Sequence, residues 1–243
     1  MTAVLGIDTA SSMLSVAVRI GGDDSQVWST QVAAGRETGA LLPGAVTEMM
    51  AHAGLAPREL TAIAVGVGPG PYTSLRVGLM FARAAAAALG ISVVGACSLD
   101  IVARGLPRRD ADVIVALDAR RREVYWARYD AAGVRTVGPF VGKAAEIAVD
   151  HPGVEWITGA TPAAAVLTQW AVTERLVTSA TEFLEDDPNG VGGSAVTGTA
   201  WVPQTLLVPV PLYLRRPDAT EPVQPMPGAQ LLIGAKPLPG AQQ

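Results

Sequence analysis

One local pattern occurs twice in this chain of 243 residues, and the repeat constrains the fold more than any other feature. A short apolar run at residues 4–7 ends at Asp8 and is followed by a polar turn and a second apolar run. The same pattern returns 110 positions later, where residues 114–117 precede Asp118. Two apolar runs joined by a short turn are typical of a β-hairpin. Because each copy stands at the head of its own part of the chain, we predict two duplicated lobes.

The apolar pattern around the hairpins predicts further strands and helices. Short continuous apolar runs are typical of buried strands, whereas apolar residues that recur every three or four positions indicate helices. The predicted strands cover 27–33, 62–67, 92–95 and 206–210, and the predicted helices cover 41–50, 74–89, 98–104 and 161–176. Strands that alternate with helices predict an α/β protein.

Two composition changes divide the chain. A charged, proline-containing joint at 106–112 separates a first lobe, residues 1–105, from a second lobe, residues 106–216. Residues 217–243 contain six prolines and almost no charge, which predicts a loosely held tail.

Charge and residue usage exclude several classes of function. The 18 basic and 22 acidic side chains give a net charge of −4, so any RNA must be contacted through a partner or a small patch. The two histidines, His52 and His151, lie far apart and predict no transition-metal site. Cys97 stands among apolar residues, as an unreactive buried thiol does. No segment predicts a membrane span or a secretory signal, and we expect a cytoplasmic protein.

Asp8 and Asp118 are the first candidates for chemistry. Each follows a predicted central strand, and ligands of α/β sheets commonly bind at such strand ends. A carboxylate there could hold a hydrated Mg²⁺ beside nucleotide phosphates, with the Thr9 hydroxyl close by. Aspartate is equally typical of turns, in which its side chain accepts a hydrogen bond from the nearby backbone. Both interpretations stay open.

A loop with Gly68 and Gly70 leads from a predicted strand into a predicted helix. Backbone N–H groups at the start of a helix can bind phosphate, and Thr73 and Ser74 occupy positions typical of a helix N-cap. Arg76 could contact a phosphate or pair with a carboxylate. The loop lacks the lysine of a Walker A motif, so a glycine turn that only joins strand to helix is an equal alternative.

Arginines cluster at residues 120–122, beside Asp118, and at residues 215–216. Such clusters can bind phosphates or an acidic partner, but they are also typical of solvated loops.

The predicted helix at 74–89 is apolar around nearly its whole circumference, and the predicted helix at 41–50 could extend this apolar surface. One side of each must pack on the sheet, and the rest indicates either a second buried side or a partner surface. The candidate partner contacts are Leu41, Leu42, Ala45, Met49, Leu75, Gly78, Leu79 and Ala82.

Five motifs in a fixed order carry a family resemblance. They are Val-Leu-Gly-Ile-Asp-Thr-Ala at 4–10, Leu-Leu-Pro at 41–43, Gly-Pro-Gly-Pro-Tyr-Thr-Ser-Leu-Arg-Val-Gly at 68–78, Asp-Ala-Arg-Arg-Arg-Glu-Val-Tyr-Trp at 118–126 and Tyr-Leu-Arg at 213–215. Over residues 3–216 the chain resembles the TsaB family, formerly called YeaZ. The resemblance implies a two-lobed, actin-like and ribonuclease-H-like α/β fold.

The resemblance also implies a role in making the threonylcarbamoyladenosine of tRNAs that read codons beginning with A. In that pathway TsaB is the non-catalytic partner of TsaD, with which it pairs through its N-terminal helices, and TsaE docks on the pair. The chain would meet tRNA only through this complex. No catalytic residue, metal site or required cofactor is implied. Weak binding of ATP or ADP with Mg²⁺ at the complex, and a homodimer of the chain alone, stay open. An independent Mg²⁺-dependent phosphotransferase that uses Asp8 is the alternative.

Overall fold

The computed structural model describes residues 1–21, 25–173 and 209–214. These residues form two sheets, which lie on either side of the joint at 106–112 in the sequence. The strands are β1 Ala3–Asp8, β2 Met13–Ile20, β3 Gln26–Ala33, β4 Ala62–Gly68, β5 Ser92–Cys97, β6 Val113–Asp118, β7 Val124–Tyr129, β8 Arg135–Gly142 and β9 Glu155–Ile157. The α-helices are α1 Thr38–His52, α2 Tyr72–Leu89, α3 Ser98–Gly105, α4 Ala144–Asp150 and α5 Ala164–Thr173.

The two sheets repeat one topology. The first has the strand order β3-β2-β1-β4-β5 and the second has the order β8-β7-β6-β9. In each sheet three antiparallel strands that follow one another in sequence are joined by a strand parallel to the first. The predicted fold class, a two-lobed actin-like and ribonuclease-H-like protein with duplicated lobes, is confirmed.

Helices cover both faces of the first sheet, and this explains its long apolar runs. Leu5 and Ile7 of β1 point into the core under α1 and α2, whereas Val4 of the same strand packs in a second core with Leu167 and Trp170 of α5. Every residue of β1 and β4 is buried. Strands that are buried on both faces have no need of polar residues at alternate positions.

A buried polar cluster connects α3 to the second sheet. The Tyr129 hydroxyl donates to Asp100 Oδ1 at 2.7 Å, and a terminal nitrogen of Arg135 lies 3.3 Å from Asp100 Oδ2. All three residues are almost completely buried. Desolvation raises the pKa of Asp100 to about 6, although the charge of Arg135 and the hydrogen bond from Tyr129 both lower it. The cluster therefore fixes α3, which follows the first sheet, against β7 and β8.

Residues 209–214 return to the space between the two lobes. The Leu212 backbone N–H donates to the Val67 carbonyl at 2.7 Å, and the Leu212 side chain packs against the main cores of both lobes. The Tyr213 ring stacks on Tyr72 with ring centroids 4.7 Å apart. This segment, which we call the strap, ties the end of β4 and the start of α2 to the second lobe.

Several predicted elements need correction or lie outside the described residues. Helix α2 begins at Tyr72 after Pro71 and has no side-chain cap, so Thr73 and Ser74 lie in its first turn and are not N-caps. The local sequence patterns did not predict β8, α4 or β9. The tail at 217–243, Arg215 and Arg216, and most of the strand predicted at 206–210 lie outside the described residues. Within the described part of the chain, no helix is long and apolar enough to cross a membrane.

We expect Asp100→Ala to destabilise the protein strongly, because it removes the carboxylate that faces the buried Arg135 guanidinium. The loss in free energy of unfolding should be about 3–5 kcal/mol, as for other broken buried ion pairs. Urea denaturation of the purified chain measures it. Glu146→Ala, which breaks the exposed Lys143–Glu146 pair, is the control and should leave the stability nearly unchanged. Equal effects of the two substitutions would contradict the structural role of the cluster.

Candidate functional site

Asp8 ends β1 with its side chain enclosed by protein. The residue is 1% exposed. Its Oδ2 accepts a hydrogen bond from the Ser98 hydroxyl at 2.7 Å, and its Oδ1 accepts one from the Ala10 backbone N–H at 2.8 Å. A Cβ atom built on Gly66 would lie only 1.8 Å from Asp8 Oδ2, so the carboxylate lies directly against the backbone of β4.

Burial sets the charge state of this carboxylate. Desolvation raises the pKa of Asp8 to about 6, and the hydrogen bonds from Ala10 and Ser98 only partly offset it. Because the carboxylate is almost completely buried against the backbone of β4, a hydrated Mg²⁺ beside a nucleotide could not reach it without displacing the side chain. The geometry favours the turn interpretation of Asp8 and does not fit a Mg²⁺–nucleotide site at the end of β1.

The glycine loop packs against the turn that follows β1. Thr9 donates its hydroxyl to the Ser74 carbonyl at 2.8 Å, and a Cβ on Gly78 would lie 2.4 Å from the same hydroxyl oxygen. A Cβ on Gly70 would lie 2.5 Å from the Ala10 carbonyl oxygen. The small residues of this loop thus allow a close approach of protein to protein, which leaves no room for a phosphate between them.

The other predicted phosphate contacts do not converge on one surface. Arg76 is exposed, but its guanidinium lies 3.8 Å from the centre of the Tyr72 ring and its Nε donates to the Tyr213 hydroxyl at 2.8 Å. Asp118 is exposed, and its Oδ1 accepts a hydrogen bond from the Arg120 backbone N–H at 2.9 Å. Of the seven predicted contacts, the exposed ones are Thr73, Arg76 and Asp118, whereas Asp8, Thr9, Gly68 and Gly70 are buried.

The predicted partner contacts require a correction. Seven of the eight are buried in the protein's own core: Leu42, Ala45, Met49, Leu75, Gly78, Leu79 and Ala82. Only Leu41 is partly exposed. A helix that is apolar all round gives no sequence signal that separates its sheet-facing side from its outer side, and the prediction selected the sheet-facing side.

Part of the outer side of α1 and α2 is nevertheless apolar. Met80 is 61% exposed, and Val77, Phe81 and Ala84 lie near it at helical spacing on α2. The neighbouring helix α1 packs beside α2 and adds further partly or fully exposed residues. We define the α1–α2 face as Leu41, Gly44, Val77, Met80, Phe81 and Ala84. Most of these residues were absent from the predicted set, although their spacing of three and four positions is visible in the sequence.

Two other predictions concern metal and thiol chemistry. In the ranges that the structure describes, no three histidine, cysteine, aspartate or glutamate side chains come together as a metal site. Cys97 is fully buried, and desolvation raises the pKa of its thiol well above the usual range. A thiol of this kind is unreactive.

Comparison with known proteins assigns the family. Residues 32–173 match the family model described as "TsaD: tRNA N6-adenosine threonylcarbamoyltransferase". The chain is also 32% identical over 128 residues to the tRNA threonylcarbamoyladenosine biosynthesis protein TsaB of Escherichia coli, a match that covers 52% of this chain and 54% of that protein. The chain belongs to the TsaB family.

Other relatives extend the likeness along the chain. An uncharacterized protein of Mycobacterium tuberculosis is 38% identical over 221 residues, which cover 90% of this TsaB-family chain and 94% of the relative. A crystal structure of an uncharacterized Pseudomonas aeruginosa protein with similarity to peptidase YeaZ superposes with a TM-score of 0.62 at 25% identity. That match covers 74% of this chain and 94% of the other. YeaZ from the same organism gives 0.57 at 24% identity, with 72% and 93% covered, and supports the fold.

We expect Asp8→Asn to change how stability depends on pH. The folded protein binds a proton at Asp8 more tightly than the unfolded chain does, so the stability of the natural protein falls as the pH rises through about 6. Asparagine cannot ionise and avoids this loss. The free energy of unfolding of the variant, relative to the natural protein, should therefore rise by about 2 kcal/mol between pH 4 and pH 7, because each pKa unit is worth about 1.4 kcal/mol and part of the total change lies below pH 4. Urea denaturation at several pH values measures it, and a difference that is independent of pH would disprove the assignment.

Proposed function

We propose that this chain acts in the biosynthesis of tRNA threonylcarbamoyladenosine as a non-catalytic subunit, and that its α1–α2 face docks a TsaD-family partner. The pathway follows from membership of the TsaB family, whose named relatives are biosynthesis proteins of this nucleoside. The observation that carries the docking role is the exposure of Met80 in the middle of an apolar helix face.

The composition of the α1–α2 face supports docking. Its six residues carry no charge, and the exposed charged side chains Glu48, Arg76 and Arg83 stand beside it on α1 and α2. An apolar centre with a polar rim is the usual arrangement of a protein interface. Gly44 and Ala84 keep the two helices narrow there, so a partner helix can approach closely.

The environment of Asp8 supports the non-catalytic part of the proposal. A phosphotransferase of this fold would need that carboxylate in the space between the lobes. Here its two oxygens accept hydrogen bonds from Ser98 and Ala10, and the residue is buried. The chain's own contribution is then to present a surface and to hold its partner in an active arrangement. Docking of a TsaE-family ATPase on the pair, in the cytoplasm, belongs to the same proposal.

Met80→Glu tests the docking surface. A carboxylate in the middle of an apolar interface would be desolvated, so we expect the dissociation constant for the TsaD-family protein of the same organism to rise at least about tenfold. Isothermal titration calorimetry of the purified proteins measures it, and circular dichroism verifies that the variant is folded. Val149→Glu is the matched control, because Val149 is 78% exposed on α4 in the other lobe. Unchanged affinity of Met80→Glu would refute the docking surface.

A separate assay tests the lack of catalysis. We expect the purified chain alone to show no phosphate transfer from ATP in the presence of Mg²⁺, because Asp8 is enclosed. Turnover that disappears in Asp8→Asn, but persists in Glu146→Ala, would establish the alternative phosphotransferase function and overturn the proposal.

A further inference from the structure

The turn between β6 and β7 has an unusual backbone. Arg120, Arg121 and Arg122 adopt φ values of 60°, 55° and 63°. Among the described residues, they are the only residues other than glycine with positive φ. We call these three residues the arginine turn.

The backbone of the arginine turn does not explain its side chains. In the left-handed region the Cβ atom crowds the following carbonyl oxygen, and glycine, asparagine and aspartate are the residues that best tolerate it. Arginine has no such advantage, and here it occupies all three positions. Strained backbone of this kind is concentrated at functional sites, because a local cost is tolerated where the side chain is needed. The guanidinium groups are the part of these residues that a function could require.

The turn is held firmly in place. The Ala119 N–H donates to the Glu123 carbonyl at 3.0 Å, and the Glu123 N–H donates to the Arg120 carbonyl at 3.0 Å. The Asp118 carboxylate accepts a hydrogen bond from the Arg120 N–H. The three side chains therefore project from a preorganised hairpin end, which reduces the entropy lost when they bind a ligand.

The charges of Arg120 and Arg122 are available to a ligand. All three residues of the arginine turn are exposed. Two acidic residues flank the turn: Asp118 uses one oxygen on the turn's own backbone, and Glu123 is half-buried. Within 1–21, 25–173 and 209–214, neither Arg120 nor Arg122 forms an ion pair.

The surroundings of the turn indicate which anion it suits. Ala119 and Tyr125 are buried and Val124 is half-buried, and the large exposed apolar side chains of the described residues lie elsewhere. The turn thus offers no apolar anchor for a membrane surface and no apolar centre for a protein interface. Guanidinium groups donate paired hydrogen bonds that match the oxygens of phosphate. A solvated turn in which guanidinium groups outnumber carboxylates fits a polyphosphate chain best.

We propose that the arginine turn is a contact site for the phosphate backbone of RNA. This inference rests on the proposed function, which supplies tRNA as the RNA. The turn belongs to the second sheet, whereas α1 and α2 pack on the first sheet. A partner on the α1–α2 face therefore leaves the turn free to contact RNA, and the chain alone should keep a weak, salt-sensitive affinity.

Binding of an unmodified tRNA transcript to the full chain tests the proposal. The transcript should read codons beginning with A, and fluorescence anisotropy over a series of salt concentrations gives the affinity. We expect Arg120→Gln/Arg122→Gln to bind about tenfold more weakly at low salt. The slope of log affinity against log salt concentration should become shallower by about 2. Each lost phosphate contact lowers the magnitude of this slope by about 0.9, and the double variant loses two contacts.

Arg58→Gln/Arg108→Gln is the matched control. Both residues are exposed and form no ion pair within the described part of the chain, and the net charge changes equally. We expect this control to keep the affinity of the natural chain within about twofold and to leave the salt slope unchanged. Equal losses of tRNA affinity in the two double variants would show that only the overall charge of the chain matters, and would overturn the proposal.

Arg120→Gly/Arg122→Gly separates backbone strain from binding. Glycine relieves the left-handed conformation, so the melting temperature should rise while the tRNA affinity falls as in the glutamine variant. A higher melting temperature with unchanged affinity would show a purely structural turn and refute the proposal.

Two further outcomes decide between partners. Absence of tRNA binding by the natural chain at low salt would overturn the proposal. Polyglutamate that binds as tightly as tRNA, with the same loss in the glutamine variant, would identify an acidic protein surface and also overturn it. Met80→Glu should bind tRNA like the natural chain, so failure of the docking surface and failure of the RNA contact can be told apart.

Discussion

The first turn of α3 holds the two lobes in one arrangement. Ser98 donates to Asp8 at the end of β1, and two residues later Asp100 accepts from Tyr129 and faces Arg135 in the second lobe. Both carboxylates are buried, and desolvation raises the pKa of each to about 6. Buried polar groups of this kind are costly unless every partner is in place. The helix that joins the lobes therefore has a single orientation, and the loop packing around Asp8 depends on it.

The duplicated lobes use the same position in different ways. Asp8 and Asp118 end the first strands of the two sheets and both accept a hydrogen bond from the backbone two residues ahead. Asp8 is enclosed by β4 and α3, whereas Asp118 remains exposed beside the arginine turn. The first copy is a packing point for β1, β4 and α3. The second copy supports a turn whose side chains face solvent, which is where a binding role can develop without disturbing the core.

The sequence predicted the parts of the fold that local patterns determine. The repeated hairpin, the continuous apolar run of β4 and the long alanine-rich run of α2 are each visible in the local sequence, and the order of five motifs identified the family. The outer side of α1 and α2 could not be separated from the inner side, because alanine and leucine occur on both. Strand β8 contains a Gly-Pro pair that is typical of turns, and β9 has only three residues. The cluster of Asp100, Tyr129 and Arg135 joins residues that are far apart in sequence, so only the folded chain shows it.

The strap has a consequence for how the protein forms during translation. The Leu212 backbone N–H donates a hydrogen bond to the Val67 carbonyl, and the Leu212 side chain packs on the cores of both lobes. The contacts at the end of β4 are therefore completed by residues that leave the ribosome long after β4 itself. Domains usually fold in the order in which they are synthesised, and late contacts between distant residues are slow to form. A nascent first lobe must therefore expose the Val67 carbonyl and the surrounding apolar surface until the second lobe has been made.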